Sequence, residues 1–169
     1  MRHASLIHHL ARHRGVFGHL LSSADPEEQR WRAAPEKWCL LETVCHLYDE
    51  EREDFHARLQ HALETPDTPQ PPTDPPGWMT SRKYMEQDYT TVLTKFLAER
   101  DRSVAWLQGL HAPKWSNAYQ HPKVGALSAE FFLANWVAHD LHHIRQINAM
   151  RYAYLAATCG VRLDYAGTW

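Results

Sequence analysis

The sequence predicts an all-α protein built as a bundle of four long helices around one core. Long stretches carry apolar residues at helical spacing, whereas no stretch alternates in the way that predicts a strand. Internal repeats and Gly-rich phosphate loops are also missing from the sequence. The length of 169 residues suits one domain over residues 1–169.

The first predicted helix covers residues 5–22. Its apolar residues recur four or seven positions apart: Leu6, Leu10, Phe17 and Leu21. Asp25 is a typical N-cap and Pro26 suits the first position of a helix, so we expect a short helical turn there, ending by Pro35.

The second predicted helix begins near Pro35 or Trp38 and ends at Leu63. Its apolar stripe consists of Leu40, Leu41, Val44, Leu47, Tyr48, Phe55 and Leu59. Residues 65–77 follow and contain six prolines, which forbid a regular helix and favour an extended polyproline conformation. This connection is long for a bundle, so it can cross the bundle, and it argues against a simple up-down-up-down order.

The third predicted helix covers residues 81–110, and a loop is expected over residues 112–125. The core candidates of this helix are Tyr84, Tyr89, Val92, Leu93, Phe96, Leu97, Val104 and Leu107.

The fourth predicted helix begins at Leu127 or Ser128 and ends near residue 158. Ser128 is a typical N-cap, and Gly160 is a typical residue just past a helix end. Residues 126–159 contain neither Pro nor Gly. The final residue, Trp169, is expected to pack back on the bundle.

His139 and His143 are the first candidate metal ligands. They stand four residues apart, which on a helix places their side chains on one face with Cβ atoms about 5–6 Å apart. Two imidazoles held this way can share a divalent metal ion. His142 points about 80–100° away by the 3.6-residue repeat and is expected at the surface. A third ligand must come from elsewhere in the chain.

Two further sites compete at this point. His46 on the second helix could supply the third ligand, and Glu42, Asp49 and Glu50 stand near it at helical spacing. However, His46 lies off the apolar stripe of its helix, where a solvated side chain is the ordinary outcome. His9 and His13 on the first helix are also four apart, and their spacing is as good as that of His139 and His143.

Several short motifs, in this order, resemble those of the DinB-like four-helix proteins. Residues 38–51, with Trp38 followed by the His46, Leu47, Asp49 and Glu50 pattern, resemble the second helix of that family. The last helix and the end of the chain are similar to the family at His121, Pro122, Gly125, His139, Asp140, His143, Gln146, Ile147 and residues 165–169. Cys39 departs from the pattern, since the family often has Ser there, but it is not a ligand position.

The resemblance implies an up-down-down-up bundle and a divalent metal ion, zinc or nickel, held by His46, His139 and His143. It therefore assigns His9 and His13 to the surface or to core packing. It also implies a homodimer and metal-dependent chemistry on a small-molecule substrate. The family includes transferases that use low-molecular-weight thiols, together with hydrolases and isomerases.

Three imidazoles leave positions open on a metal ion, as in catalytic sites, so the ion could activate a thiol or a water molecule. We therefore expect a thiol S-transferase or a hydrolase. The alternative is a non-catalytic bundle that binds a metal or another ligand. The catalytic residue stays unassigned, because the spacing of Glu42, Asp49, Glu50 and Asp140 singles out none of them as general base. His121 could line the mouth of the site, and Cys45 is not expected to be a ligand.

Composition excludes several other classes of protein. The net charge is −2, with 44% apolar and 22% charged residues, which does not favour binding to nucleic acid or to an anionic membrane. No apolar run approaches the roughly 20 residues of a membrane span. The first dozen residues are too polar for a signal peptide, and the three cysteines form no CxxC pair. We therefore expect a cytoplasmic protein.

Overall fold

The computed structural model describes residues 2–167. In chain order its elements are α1 (Arg2–Ser22), α2 (Pro26–Arg30), α3 (Leu40–Glu50), a π-helical turn (Glu51–His56), α4 (Ala57–Glu64), α5 (Pro75–Ser81), a 3-10 turn (Tyr84–Glu86), α6 (Tyr89–Gly109), β1 (Ala118–His121), β2 (Gly125–Ser128), α7 (Ala129–Thr158) and a second 3-10 turn (Asp164–Ala166). The predicted packing of Trp169 concerns a residue outside this range.

Four long helices form the bundle: α1, the continuous helix made by α3, the π turn and α4, then α6 and α7. Helix α1 packs against α6 and α7, and the α3–α4 helix packs against the same two. Around the bundle the order of the helices is therefore α1, α6, α3–α4 and α7. This confirms the all-α four-helix bundle, while the up-down-down-up direction of the helices stays a prediction.

The predicted helix ends are confirmed at several positions. The Asp25 carboxylate accepts hydrogen bonds from the backbone N–H groups of Glu27 and Glu28. At the start of α7, the Ser128 hydroxyl accepts a hydrogen bond from the Phe131 backbone N–H. Gly160, after the end of α7, has a φ of 70°, which a residue without Cβ adopts easily.

The prediction of an unbroken helix from residue 81 was wrong. Helix α5 begins inside the Pro-rich connection at Pro75, because Asp74 accepts a hydrogen bond from Gly77 N–H and proline suits a first helical position. The chain then turns at Lys83, whose φ of 49° is left-handed, so the helix cannot continue. Helix α6 begins only at Tyr89, after the N-cap Asp88.

The expectation of a plain loop over residues 112–125 was also wrong. Strands β1 and β2 pair antiparallel there, with Ala118 opposite Ser128 and His121 opposite Gly125. Each strand has four residues, which is too short for an alternating pattern to stand out in the sequence.

The predicted apolar faces form the core. From α1, Leu10, Phe17 and Leu21 are fully buried, as is Phe96 of α6. The cysteines are free thiols, and Cys39 and Cys45 are buried. Among the described residues, no helix combines the length and apolar character needed to cross a membrane.

Candidate metal centre

His46, His139 and His143 come together between α3 and α7. One nitrogen from each ring lies within 4.8 Å of the other two, and no other group of three His, Cys, Asp or Glu in residues 2–167 is so arranged. The ring centroids are 5.6 Å apart for His46 and His139, 5.0 Å for His46 and His143, and 4.4 Å for His139 and His143. We call these three residues the histidine group.

His139 and His143 face each other from successive turns of α7, and their Nε2 atoms are 3.1 Å apart. Two N–H groups cannot point at each other, so at least one Nε2 presents a bare lone pair. Burial is the main cause that lowers the pKa of His139 to about 3, and the neighbouring His143 is the second cause. Burial also lowers the pKa of His143. Both rings are therefore neutral near pH 7, which is the form that ligates a metal.

His46 is largely buried, contrary to the solvated position that its helical wheel predicts. Only 12% of its side chain is exposed. The reason is that α3 contacts α2, α5, α6 and α7, and nine of its eleven residues are buried, so it has almost no solvent-facing side. Burial lowers the pKa of His46 to about 4.

The Nδ1 atom of His46 finds no hydrogen-bond partner among residues 2–167, although it is buried. Glu50 Oε1 is 3.9 Å from it, beyond hydrogen-bond length. Burial, together with the neighbouring Asp54, raises the pKa of Glu50 to about 8. An unpartnered buried nitrogen is costly in a purely structural position, so this ring is better suited to a ligand.

Aromatic rings surround the histidine group. Trp38 meets His46 edge to face with ring centroids 5.0 Å apart. The ring centroids of Phe55 and His139 are 4.8 Å apart, and Phe55 also stacks on Trp136. These rings cover part of the histidine group with apolar surface, which lowers the local dielectric around the imidazoles.

A cavity of about 520 Å³ opens from His46 and His143 towards the far end of α7. Its other lining residues come from the segment before α3 and from α7: Trp31, Ala33, Glu36, Lys37, Trp38, Gln146, Ala149, Met150 and Ala153.

Two of the candidate general bases are engaged elsewhere. Glu42 accepts a hydrogen bond from the backbone N–H of Cys39 and pairs with Arg32. Asp49 accepts one from the Tyr84 hydroxyl and pairs with Arg82.

A third candidate, Asp140, belongs to a buried network that sequence reasoning missed. Arg100 donates to both oxygens of Glu51 and to both oxygens of Asp140 at 2.7–2.8 Å. Trp136 donates to Glu51, and His13 Nδ1 is 2.9 Å from Asp140. Burial pushes the pKa of Asp140 upward, but Arg100 and His13 hold it below its ordinary value. We call these five residues the arginine cluster.

The sequence did contain a signal for Arg100. It stands four residues after the fully buried Phe96, on the core face of α6. An arginine in an apolar stripe predicts buried carboxylate partners, because an unpaired buried charge is very costly. One of them, Glu51, lies in the π turn, a feature that often marks functional positions.

The other histidines considered as candidates do not join the histidine group. His9 and His142 are exposed, and His13 is buried in the arginine cluster, which agrees with their assignment to surface or core. His121 lies in β1, where its Nδ1 accepts hydrogen bonds from two backbone N–H groups of the turn. His121 is not among the residues that line the cavity beside the histidine group.

Comparisons with known proteins agree with this architecture. A model of the DinB superfamily matches residues 9–147. Among solved structures, the chain is similar to YfiT from Bacillus subtilis, described as "a probable metal-dependent hydrolase with an unusual four-helix bundle topology". The TM-score is 0.76 at 19% sequence identity, over 88% of this chain and 85% of YfiT. At that identity the likeness shows the fold alone. No curated protein matches the sequence.

Proposed function

This chain belongs to the DinB superfamily, and we propose that it is a metal-dependent enzyme whose divalent ion is held by His46, His139 and His143. The observation that carries the proposal is the convergence of three neutral imidazoles within 4.8 Å. Imidazole suits zinc and nickel, the two ions we expect here.

The donor set fits a catalytic ion better than a structural one. Structural zinc sites are usually closed by four protein ligands, whereas catalytic sites use three and keep a position open. Within residues 2–167 the group has three members, and a cavity adjoins it. When bound, an ion in such a site lowers the pKa of a coordinated water or thiol and so makes it a nucleophile.

The residues around the histidine group have separate tasks in this proposal. Trp38 and Phe55 provide an apolar wall beside the imidazoles. The adjoining cavity would hold the rest of the substrate.

We propose hydrolysis of, or thiol transfer to, a small molecule as the reaction, with a low-molecular-weight thiol as the second substrate in the latter case. The description of YfiT as a probable hydrolase supports the first alternative. We also propose that the protein is a homodimer in the cytoplasm and binds neither nucleic acid nor membrane.

The experiment compares the zinc- and nickel-loaded protein in two assays. One follows hydrolysis of 4-nitrophenyl acetate, and the other follows the reaction in which a small thiol replaces the chloride of 1-chloro-2,4-dinitrobenzene. We expect a rate above that of the free metal in one assay, lost in His143→Ala and kept in His142→Ala, because His142 is exposed. Rates equal to those of free metal in both assays would favour a non-catalytic metal-binding bundle.

A further inference from the structure

The cavity beside the histidine group is long rather than round. Its volume of about 520 Å³ falls within the range of pockets that hold small organic molecules. Along α7 the lining residues are His143, Gln146, Ala149, Met150 and Ala153, whose three- and four-residue spacing puts them on one face. At 1.5 Å per residue, this face is about 15 Å long from His143 to Ala153. The cavity is therefore a groove with the histidines at one end.

Two indole rings form the opposite wall of this groove. Trp31 and Trp38 come from the segment between α2 and α3. Each is held by a second ring: Trp31 meets Tyr154 edge to face at 5.6 Å, and Trp38 meets His46 at 5.0 Å. Indoles fixed in this way offer faces and edges to an aromatic ligand, whose ring gains edge-to-face or offset stacking in addition to burial.

The charges at the groove favour a neutral occupant. Glu36 and Lys37 are exposed, line the groove together and have opposite signs. An anionic or cationic occupant would be attracted by one of them and repelled by the other. A divalent ion at the histidine end would also repel a cation, and it would draw an anionic group to that end instead of along the groove.

Small side chains keep the groove open. Ala149 and Ala153 present methyl groups where a larger residue would occupy the space between α7 and the indoles. Met150, between them, is an adaptable thioether that makes favourable contacts with aromatic rings. The size of residues 149 and 153 thus limits what can enter.

We propose that the substrate of this site carries a neutral aromatic tail that lies along the groove between α7 and the two indoles. Ala149 and Ala153 act as specificity-determining residues by limiting the size of the tail. The inference rests on the proposed function, because it places the reacting group of the same molecule beside the histidines.

The test titrates the zinc-loaded protein with 4-phenyl-1-butanol as the aromatic probe and with triethylene glycol as a polar probe of similar length, using calorimetry. Zinc content is measured on the same samples. We expect the aromatic probe to bind at least about tenfold more tightly, and Ala153→Trp to weaken it at least about tenfold. Leu155→Trp, on the same helix but outside the groove, should bind it like the wild type.

Ala149→Leu provides a milder variant that fills less of the groove, and it should weaken binding in the same direction. Equal affinity for the two probes, or unchanged affinity in a folded Ala153→Trp or Ala149→Leu protein, would overturn the aromatic tail and leave the metal site intact. A third outcome is a wild-type protein that binds no zinc but still binds the probe, with weaker binding in Ala153→Trp. That result would overturn the proposed function and leave the groove proposal standing.

Discussion

Helix α7 carries two buried polar clusters side by side, since His139 of the histidine group and Asp140 of the arginine cluster are neighbours in sequence. In the arginine cluster, the guanidinium of Arg100 makes five hydrogen bonds, to Glu51, Asp140 and the Leu10 carbonyl. In the histidine group, the rings are neutral and the buried Nδ1 of His46 has no partner in residues 2–167.

This difference supports a structural role for the arginine cluster and the proposed ligand-binding role for the histidine group. The arginine cluster connects α1, the π turn, α6 and α7, and its charges satisfy each other within the protein. The histidine group, in contrast, contains a buried imidazole nitrogen, His46 Nδ1, that no residue among 2–167 satisfies. Buried polar groups that are left unsatisfied are costly, so they persist where a ligand uses them.

The largest expected effect comes from removing Arg100. In Arg100→Met, two buried carboxylates lose their cation, and breaking a buried ion pair costs about 3–5 kcal/mol. Urea unfolding of the metal-free protein measures this loss. Arg14→Met is the matched control, because Arg14 pairs with Asp101 at the surface, where a pair contributes about 0–1 kcal/mol. Equal losses in the two variants would contradict a structural role for the arginine cluster.

Metal addition should stabilise the protein through the histidine group alone. A ligand at 1,000 times its Kd raises the free energy of unfolding by about 4 kcal/mol. We expect zinc to produce a rise of this order in the wild type, reversed by a chelator, and none in His143→Ala. Thermal unfolding with and without zinc measures it. A similar rise in His143→Ala would show that zinc binds elsewhere.

The metal-free protein should lose stability as the pH falls from about 6.5 to about 4. Folding lowers the pKa of His46 to about 4 and that of His139 to about 3, mainly through burial. In this window the unfolded chain takes up protons that the folded protein does not, so acid favours unfolding by up to about 1.4 kcal/mol per pH unit and per histidine.

Urea unfolding at a series of pH values measures that slope. His139→Gln should reduce the slope, whereas His142→Gln should leave it unchanged because His142 is exposed. An unchanged slope in His139→Gln would show that this ring titrates normally in the folded protein.

The smallest effect is expected at His121. His121→Ala removes the acceptor for the N–H groups of Lys123 and Val124 in the β-turn, which costs about 1 kcal/mol in a solvent-accessible turn. Zinc content should not change, because His121 lies outside both the histidine group and the cavity. A drop in zinc content would place this residue at the site after all.

Much of the fold was predictable, because the long helices carry apolar residues at helical spacing and have recognisable cap residues at their ends. Helix α7 begins at Ala129, one residue after its predicted N-cap, and ends at Thr158 as expected. The break before α6 was not predicted, because the left-handed turn at Lys83 is not signalled by a Gly or Pro. The π turn was missed as well, since helical spacing does not reveal one.

The site was predictable only in part. His139 and His143 follow from their spacing along one helix. His46 could not be found from its own helix, because a helical wheel assumes one buried face and α3 is enclosed by four neighbours. His46 was assigned as a ligand only through the resemblance of its motif to the DinB-like proteins. The burial of Arg100 could have been predicted, because Arg100 stands four residues after Phe96 in the apolar stripe of α6.

The metal content of untagged protein is the most direct test of the site, and His46 is the ligand whose substitution tests it best. We expect close to one zinc or nickel ion per chain in the wild type and in His9→Ala. In His46→Ala we expect a loss of at least about tenfold in affinity. A wild-type protein that retains no divalent ion, or a His46→Ala protein that binds it as tightly as the wild type, would contradict the three-histidine site.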